Sequence, residues 1–526
     1  MSSTRPTAPP LTALDAVVGW LREAGYTAEV VGGRHPGSES PEVRVSGISL
    51  SSQRVRPGDL YAALPGARAH GADFVEQAVS AGAVAVLSDA VGAARCAQRL
   101  ARSAHDVQIP VVVVTSPREV LGLLSARVYG EPARAMTMIG VTGTQGKTTT
   151  TRLAEAGLLD AEVRAAVIGT VGTRIAGDDV QTSLTTPEAP DLHGLFAVMR
   201  ERDVAACCME VSSHALVKGR VDGVVFDVAV FLNLGRDHLD FHLDVEEYYQ
   251  AKASLFTPDH ARLALVNVDD EHGRRLVAET TLPVRTFSAQ GRDADWSAHG
   301  VRSTDRGSSF LVRRAGESRE VSAAVPLPGA FNVENALAAI AACGEAGFDV
   351  EAIGAGLRRA SVPGRMQRIE RGQAFVVVVD YAHKPDALEA AVSSLRAVAE
   401  ENRGRVIVVL GAGGDRDRGK RPLMGEILAR LADVVIVTDD NPRSEDPAEI
   451  RAAVLAGTEN GDAEVLEIGD RGEAILRAVT LARVGDVVLV AGKGHETGQE
   501  IDGVVHPFDD QQVCESALDQ RTGEQR

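Results

Sequence analysis

Gly140-Val-Thr-Gly143-Thr-Gln-Gly146-Lys147-Thr148-Thr149-Thr150 is the stretch on which the reading of this chain turns. A β-rich run, Met136–Val141, leads into it, and Thr148–Leu159 behind it has helical character. Strand, glycine-rich loop and helix in that order make a seat for phosphate. Glycines let backbone N–H groups approach anionic oxygens, and the helix N-terminus adds partial positive charge. Lys147 is placed to neutralise β- and γ-phosphates, and the Thr148 hydroxyl to ligate Mg²⁺. The loop departs from GxxxxGK[ST]: Val stands at 141, and the nearer glycine lies three residues before Gly146. An ordinary glycine-containing turn is the plainer account. The loop alone admits ligases, kinases, GTPases and motors.

Outside the loop, 526 residues imply about three domains. Apolar content of 44% and charged content of 24% are ordinary for a soluble globular protein. Aromatics make up only 4%, and the Val- and Ala-rich balance suits buried parallel strands. Lys and Arg number 55 against 73 Asp and Glu, a net charge of −18, which argues against nucleic-acid binding as the main task. The cysteines Cys96, Cys207, Cys208, Cys343 and Cys514 form no CxxC pair and read as reduced, intracellular residues. Cys207 and Cys208 are expected in the core. Residues 1–10 lack an apolar segment and read as a disordered leader. Apolar runs such as Val111–Val114 and Val376–Val379 are too short to span a bilayer, so a cytoplasmic protein without membrane insertion is expected.

Three α/β regions are legible. In residues 11–135, a helix end and strand over Ser80–Leu87 and a strand over Ile109–Thr115 follow a turn-rich stretch, Val55–Gly71. Tyr129–Ala135 reads as a linker. Residues 136–361 carry the phosphate loop, strands near Ala205–Val211 and Val224–Leu232, and a helix near Asn332–Ala342. Residues 362–526 alternate strand and helix, which argues for a doubly wound, Rossmann-like parallel sheet. In such sheets ligands meet the loops at strand carboxyl ends. Those loops are Asp380–Lys384, Gly411–Lys420, Asp439–Arg443 and Gly492–Glu496.

Further motifs stand in a fixed order. They are Glu210-Val-Ser212-Ser213-His214, Asn233-Leu-Gly-Arg-Asp237-His238-Leu-Asp240, Ala251-Lys252-Ala253, Gly329-Ala-Phe-Asn332-Val-Glu-Asn335 and Asp380-Tyr-Ala-His383-Lys384-Pro385. With the shortened phosphate loop, this order resembles the Mur ligase family, ATP-dependent amide ligases of peptidoglycan synthesis. The resemblance runs from about Ser46 to Glu496. It implies a mixed α/β uridine-nucleotide domain, a central P-loop ATPase domain and a C-terminal Rossmann-like domain. Arg54-Val-Arg-Pro-Gly58-Asp59-Leu60-Tyr61, Asp440-Asn441-Pro442-Arg443 and Gly492-Lys493-Gly494-His495-Glu496 resemble members that extend UDP-MurNAc-L-Ala-D-Glu by a third residue.

The resemblance also implies roles. Thr142, Gly143, Thr144, Gln145, Gly146, Lys147 and Thr148 would hold ATP, with Asn332 and Asn335 at the adenine and Arg365 and Asp380 at phosphate and ribose. Two Mg²⁺ ions are implied. Thr148 and Glu210 would serve one, and His238 with a carbamylated Lys252 the other. Carbon dioxide adds to a neutral amine and turns a cation into a carboxylate-like ligand. Without the resemblance, Lys252 reads as a solvated helix lysine and the two asparagines as local hydrogen-bonding residues. Leu50, Ser52, Ala67, Arg68 and Ala69 match the uridine stretch, and Thr185, Thr186, Ser212, Lys218 and Arg220 the muramoyl-dipeptide contacts. Two positions depart: Lys218 replaces a Gln of some relatives, and His70 replaces an Asp of many.

For the incoming amine, Arg416 and Arg443 offer planar partners to the distal carboxylate of meso-diaminopimelate, and the Gly492 carbonyl with Glu496 would take its ammonium. Asp440, Asn441 and Pro442 complete that loop. They are also turn formers, so a capped turn before a helix describes them equally. L-lysine as the added residue, or a folylpolyglutamate-type ligase, is the alternative. A nucleotide-driven regulator is a third reading. A dehydrogenase is disfavoured because Arg416 stands where GxGxxG needs glycine. A monomer is expected.

Overall fold

The computed structural model describes residues 4–32, 42–102, 109–238 and 241–524. Three main sheets succeed one another along the chain. The first has five strands in the order Glu29–Val31, Val111–Val113, Ala85–Ser88, Asp59–Ala62 and Gly47–Ser49. Only the Glu29–Val31 edge is antiparallel. The Asp59–Ala62 strand lies inside the stretch read as turn-rich. The proline and glycine signals mark the turns on either side, while Leu60, Tyr61 and Ala62 between them are buried.

The expectation of a disordered leader is corrected. Arg5 is only 8% exposed, and its Nη1 donates to both oxygens of Asp59 at 2.7 and 2.6 Å. Its Nη2 donates to the Ile48 carbonyl at 2.6 Å. Farther along, the Thr7 and Ala8 N–H groups donate to Glu201 of the central region at 2.9 Å. A buried carboxylate such as Asp59 needs a cation with matched geometry, and arginine supplies it. Composition alone does not carry that signal. Residues 1–3 lie outside the described residues.

The central sheet has eleven strands. Its parallel middle places Ala165–Gly169, Ala206–Glu210, Thr137–Thr142, Val228–Phe231, Ala264–Asn267 and Val284–Ser288 side by side. The helices Lys147–Asp160 and Ala330–Glu345 cover one face, and Leu153, Leu158, Leu337 and Ile340 join Ile139 and Val141 in the core. Cys207 and Cys208 are fully buried on the neighbouring strand, as expected. The antiparallel strands Trp296–Thr304, Gly307–Arg314 and Glu320–Val325 lengthen one edge and were not anticipated.

The third sheet runs Gln367–Arg368, Val376–Asp380, Val487–Ala491, Val406–Ala412, Val434–Asp439 and Glu464–Glu467. All but the first are parallel. Asp380 pairs with Ala491, and Ala412 with Asp439, so the four loops expected at strand carboxyl ends gather at one end of the sheet.

Candidate active site

The phosphate loop leaves the Thr137–Thr142 strand and turns through Gly143 and Gly146, whose φ values are 157° and 86°. A Cβ at Gly146 would stand 2.2 Å from Asn335 Oδ1, so the helix Ala330–Glu345 braces the loop from beneath. The Thr144 and Gln145 N–H groups donate to Asn233 Oδ1 at 3.1 and 2.9 Å. Lys147 Nζ donates to the Gly143 carbonyl at 2.7 Å and to that of Thr144 at 3.2 Å.

Lys252 reaches the same Gly143 carbonyl at 2.9 Å. It lies on the helix Val245–Ala253 and is 1% exposed, far from the solvated lysine that its residue type alone implies. Burial first, then the charge of Lys147, pushes its pKa well below the usual lysine value. Lys147 is also lowered, chiefly by desolvation. A buried amine that sheds its proton readily is the chemical requirement for carbamate formation.

Glu210 ends the Ala206–Glu210 strand and is 1% exposed. Its Oε1 accepts from Thr148 Oγ1 at 2.8 Å and from Thr170 N at 2.8 Å, and its Oε2 from Thr170 Oγ1 at 3.0 Å. Beside it, a Cβ on Gly169 would stand 2.2 Å from Oε1. Glycine therefore makes room for the carboxylate. Neither Gly169 nor Thr170 was singled out from the sequence.

Asp237 joins the central and third regions: its carboxylate holds the Lys384 ammonium in a short ion pair and lies 3.2 Å from His238 Nε2. Burial raises the Asp237 pKa, but Lys384 and then His238 outweigh it and hold the group at about 2. His238, with φ of 53°, is lowered to about 4, first by burial. Leu239 and Asp240 of the same motif lie outside the described residues.

Among the described residues, no three His, Cys, Asp or Glu side chains gather as a metal cluster. The Thr148 and Glu210 oxygens are a hard pair of the kind that would suit Mg²⁺. Lys252 Nζ lies 4.5 Å from the Tyr248 ring centre, and the His238 ring 6.0 Å from the same ring. As an ammonium Lys252 is no ligand; as a carbamate it would share a second site with His238.

Arg365 brings the third region onto the loop, with Nη2 at 3.5 Å from Thr148 Oγ1 and the guanidinium 4.4 Å over the Tyr381 ring. Asp380 accepts from the Met366 and Ala382 N–H groups at 2.6 and 2.7 Å, so its carboxylate shapes the strand end. Asn332 Nδ2 donates to the Pro328 carbonyl at 2.8 Å, a local bond of the kind its residue type implies. Asn335 Oδ1 accepts from Thr150 Oγ1 at 3.4 Å and lies beneath Gly146.

In the first region, Leu50 follows the Gly47–Ser49 strand, Ser52 Oγ donates to Gln77 at 2.8 Å, and Ala67, Arg68 and Ala69 form an exposed loop. His70 does what an aspartate would do there: its Nδ1 accepts from Ala72 N at 3.0 Å and caps the Gly71–Phe74 turn. Thr185 Oγ1 is 3.0 Å from Thr170 Oγ1, and Thr186 Oγ1 donates to the Glu210 carbonyl at 2.8 Å. Ser212 caps the Ser213–Val217 helix. Arg220 binds Glu188 at 2.9 Å and the Thr186 carbonyl at 3.2 Å. Lys218 Nζ stands 5.6 Å over Phe241. Except for Lys218 and the exposed loop, these side chains already serve the protein's own frame.

At the third sheet, Lys493 is fully buried and its Nζ binds Asn441 Oδ1 at 3.0 Å, Glu496 Oε2 at 3.1 Å and Asp440 Oδ1 at 3.4 Å. Asn441 Nδ2 donates to the same Glu496 oxygen at 2.9 Å. Pro442 precedes Arg443, whose Nη1 donates to the Gly414 carbonyl at 2.6 Å. Gly492, with φ of 115°, ties its N–H to the Asp380 carbonyl at 3.1 Å. Arg416 is exposed. The four loops thus meet, with Lys493 as their hub. Its signal was a lysine between two glycines right after an apolar strand.

Three family descriptions match: "Mur ligase family, catalytic domain" over residues 44–129, "Mur ligase middle domain" over 141–343, and "Mur ligase, glutamate ligase domain" over 364–494. A UDP-N-acetylmuramoyl-L-alanyl-D-glutamate–2,6-diaminopimelate ligase of Streptomyces avermitilis is 52% identical, covering 94% of this chain and 97% of its own. Its namesake from Streptomyces coelicolor is 52% identical, covering 91% and 93%. A solved structure of a ligase of that name superposes with a TM-score of 0.66 at 33% identity, covering 98% and 100%. These likenesses take in the phosphate loop, the Asp237–Lys384 junction and the third-sheet loops alike, and the chain belongs to the Mur ligase family.

Proposed function

We propose that this chain uses ATP to join meso-diaminopimelate to UDP-N-acetylmuramoyl-L-alanyl-D-glutamate. One observation carries the reading: Arg365 and Lys384 of the third region reach Thr148 and Asp237 of the central one, so loops fit to hold an amino acid face a loop fit to hold phosphate. The relatives named for this reaction support it over nearly the whole length. A folylpolyglutamate-type reaction leaves the first region, with its own family match at 44–129, without a task.

In this reading the glutamate carboxylate attacks the γ-phosphorus, ADP leaves, and an acyl phosphate forms. The α-amine of diaminopimelate then attacks the acyl carbon and expels phosphate, losing its proton. Phosphoryl transfer depends on positioning and charge neutralisation. The backbone from Thr142 to Gly146 cradles the phosphates, and Lys147 exchanges its carbonyl partners for their oxygens. Thr148 and Glu210 would hold one Mg²⁺, and His238 with a carbamylated Lys252 the other; bound there, the ions would supply counter-charge. Asn332 and Asn335 serve the adenine, and Asp380 the ribose. Arg365 adds positive charge where the third region closes and excludes water. Leu50, Ser52 and Ala67–Ala69 take the uridine moiety; Thr185, Thr186, Ser212, Lys218 and Arg220 take the dipeptide. Arg443 and Arg416 meet the distal carboxylate, and Glu496 with the Gly492 carbonyl the distal ammonium. The enzyme acts as a monomer in the cytoplasm; among the described residues no helix is long and apolar enough to cross a membrane.

The test is ligation by the purified protein with ATP, Mg²⁺ and the UDP-dipeptide, offered meso-diaminopimelate or L-lysine and read by product mass. A diaminopimelate product is expected. Equal use of L-lysine refutes the amino-acid assignment, and ATP hydrolysis without any amide refutes the reaction.

A further inference from the structure

Arg443 has φ of 53°, a left-handed backbone that a side chain with a Cβ keeps only where its surroundings over-determine it. Those surroundings are a hairpin far along the chain. Its strands are Gly498–Ile501 and Val504–Pro507, joined by Asp502-Gly503 with φ of 49° and 76°, the pattern of a tight two-residue turn. A lone hairpin is marginal in water. This one is also thinly covered: Val504 and Val505 are 56% and 67% exposed.

One edge of the Gly498–Ile501 strand pairs with Val504–Pro507, and its other edge takes the Asp440–Arg443 loop as a partner. Arg443 N donates to the Glu500 carbonyl at 3.0 Å, and Asp502 N to the Arg443 carbonyl at 2.8 Å. Glu500 N donates to Asn441 Oδ1 at 2.9 Å, and Gln499 Nε2 to the Asp440 carbonyl at 2.6 Å. The Glu500 carboxylate lies 3.2 Å from Arg443 Nε, while Gly414 holds Nη1. The hairpin therefore fixes the Arg443 backbone and one edge of its guanidinium, and Gly414 holds the other.

We infer that the hairpin over residues 498–507 sets amino-acid selectivity by holding Arg443 in place, with Gln499 and Glu500 as positioning residues. This rests on the reading of Arg443 as the partner of the distal carboxylate. Diaminopimelate recognition depends on the hairpin; L-lysine, which lacks that carboxylate, is insensitive to it. ATP and the UDP-dipeptide bind elsewhere and are insensitive as well.

The test uses the full-length enzyme with Gln499→Leu combined with Glu500→Ala, and separately Gly503→Val, which strains the turn without touching the loop. Both are expected to raise KM for meso-diaminopimelate about ten-fold. KM for ATP and kcat should stay within about two-fold of wild type, and the preference for diaminopimelate over L-lysine should narrow. An unchanged KM for diaminopimelate overturns the inference. So does a rise shared equally by ATP and diaminopimelate, which marks a general structural fault. Arg443→Ala separates the layers. If it leaves diaminopimelate binding intact, the reading of Arg443 falls. If it weakens binding while both hairpin variants are silent, only the hairpin inference falls.

Discussion

The phosphate loop and the Asp440–Arg443 loop both leave carboxyl ends of parallel strands and both take outside side chains, Asn233 in the first, but the balance differs. The first turns on its own glycines, Gly143 and Gly146, and its lysine folds back onto carbonyls three and four residues earlier. The second is held by side chains from more than fifty positions away: Lys493, Glu496 and Gln499. A loop that must meet the same triphosphate at each turnover is served by backbone geometry. In the proposed function the second loop tells one amino acid from another, which depends on where its side chains are placed, and its support comes from outside.

The contrast breaks most sharply at Lys252, which reaches the Gly143 carbonyl of the phosphate loop from 109 positions away. Lys252→Ala should lower ligation by at least about a hundred-fold, the scale of losing a preorganised charge in a water-excluded site. Removal of dissolved carbon dioxide should depress the wild type reversibly. Full activity of Lys252→Ala at ordinary bicarbonate would remove the carbamate from the mechanism.

Gly169→Ala comes next. Its Cβ would lie 2.2 Å from Glu210 Oε1, and the neighbour that must yield is the carboxylate bonded to Thr148. A displacement of about an ångström at a reacting site costs about a hundred-fold or less. The expected signature is a lower kcat and a raised Mg²⁺ requirement, with the melting temperature little changed. A normal Mg²⁺ titration would show that Glu210 tolerates the shift.

On the acceptor side, Arg443→Ala should raise KM for meso-diaminopimelate about ten- to a hundred-fold, as for loss of a charge-assisted hydrogen bond. Arg416→Ala should do less, because Arg416 is exposed and screened. Steady-state kinetics with ATP and the UDP-dipeptide saturating checks both. An equal effect of the two would give exposed Arg416 the same share in recognition as the fixed Arg443.

What was legible in the sequence follows the same divide. Alternating apolar runs and helices mark the third sheet and the four loops that gather at its carboxyl end, and glycine with lysine marks the phosphate loop. Strand Asp59–Ala62 was hidden because the turn residues on both sides outnumber its four residues. Arg5 was hidden because its partner Asp59 lies 54 positions away, and a Ser/Thr/Pro-rich start has the composition of a disordered one. Gly169 carries no side chain to mark a role and acts by the absence of one. The hairpin did have a local signal, Asp502-Gly503, but its task of supporting Arg443 is a contact between distant segments.

A last, smaller effect concerns a residue that neither loop uses. His193, on the helix Ala189–Glu201, is fully buried, with Nε2 at 3.1 Å from the Asp222 carbonyl and Nδ1 without a partner. Burial pushes its pKa down from 6.5 to about 4, only partly opposed by that hydrogen bond. The unfolded chain therefore binds this proton more readily than the folded one. By linkage, the contribution of neutral His193 is fully present above pH 6.5 and is lost as pH falls from 6.5 toward 4. The melting temperature should drop across that window, and His193→Gln should flatten the drop by a few degrees. His238 and His495, each lowered to about 4, keep their own share of the slope in both proteins, so the difference between the two curves isolates His193. Parallel curves would mean that the helix opens to let the imidazole charge in water, and that acid sensitivity arises instead at the histidines of the site.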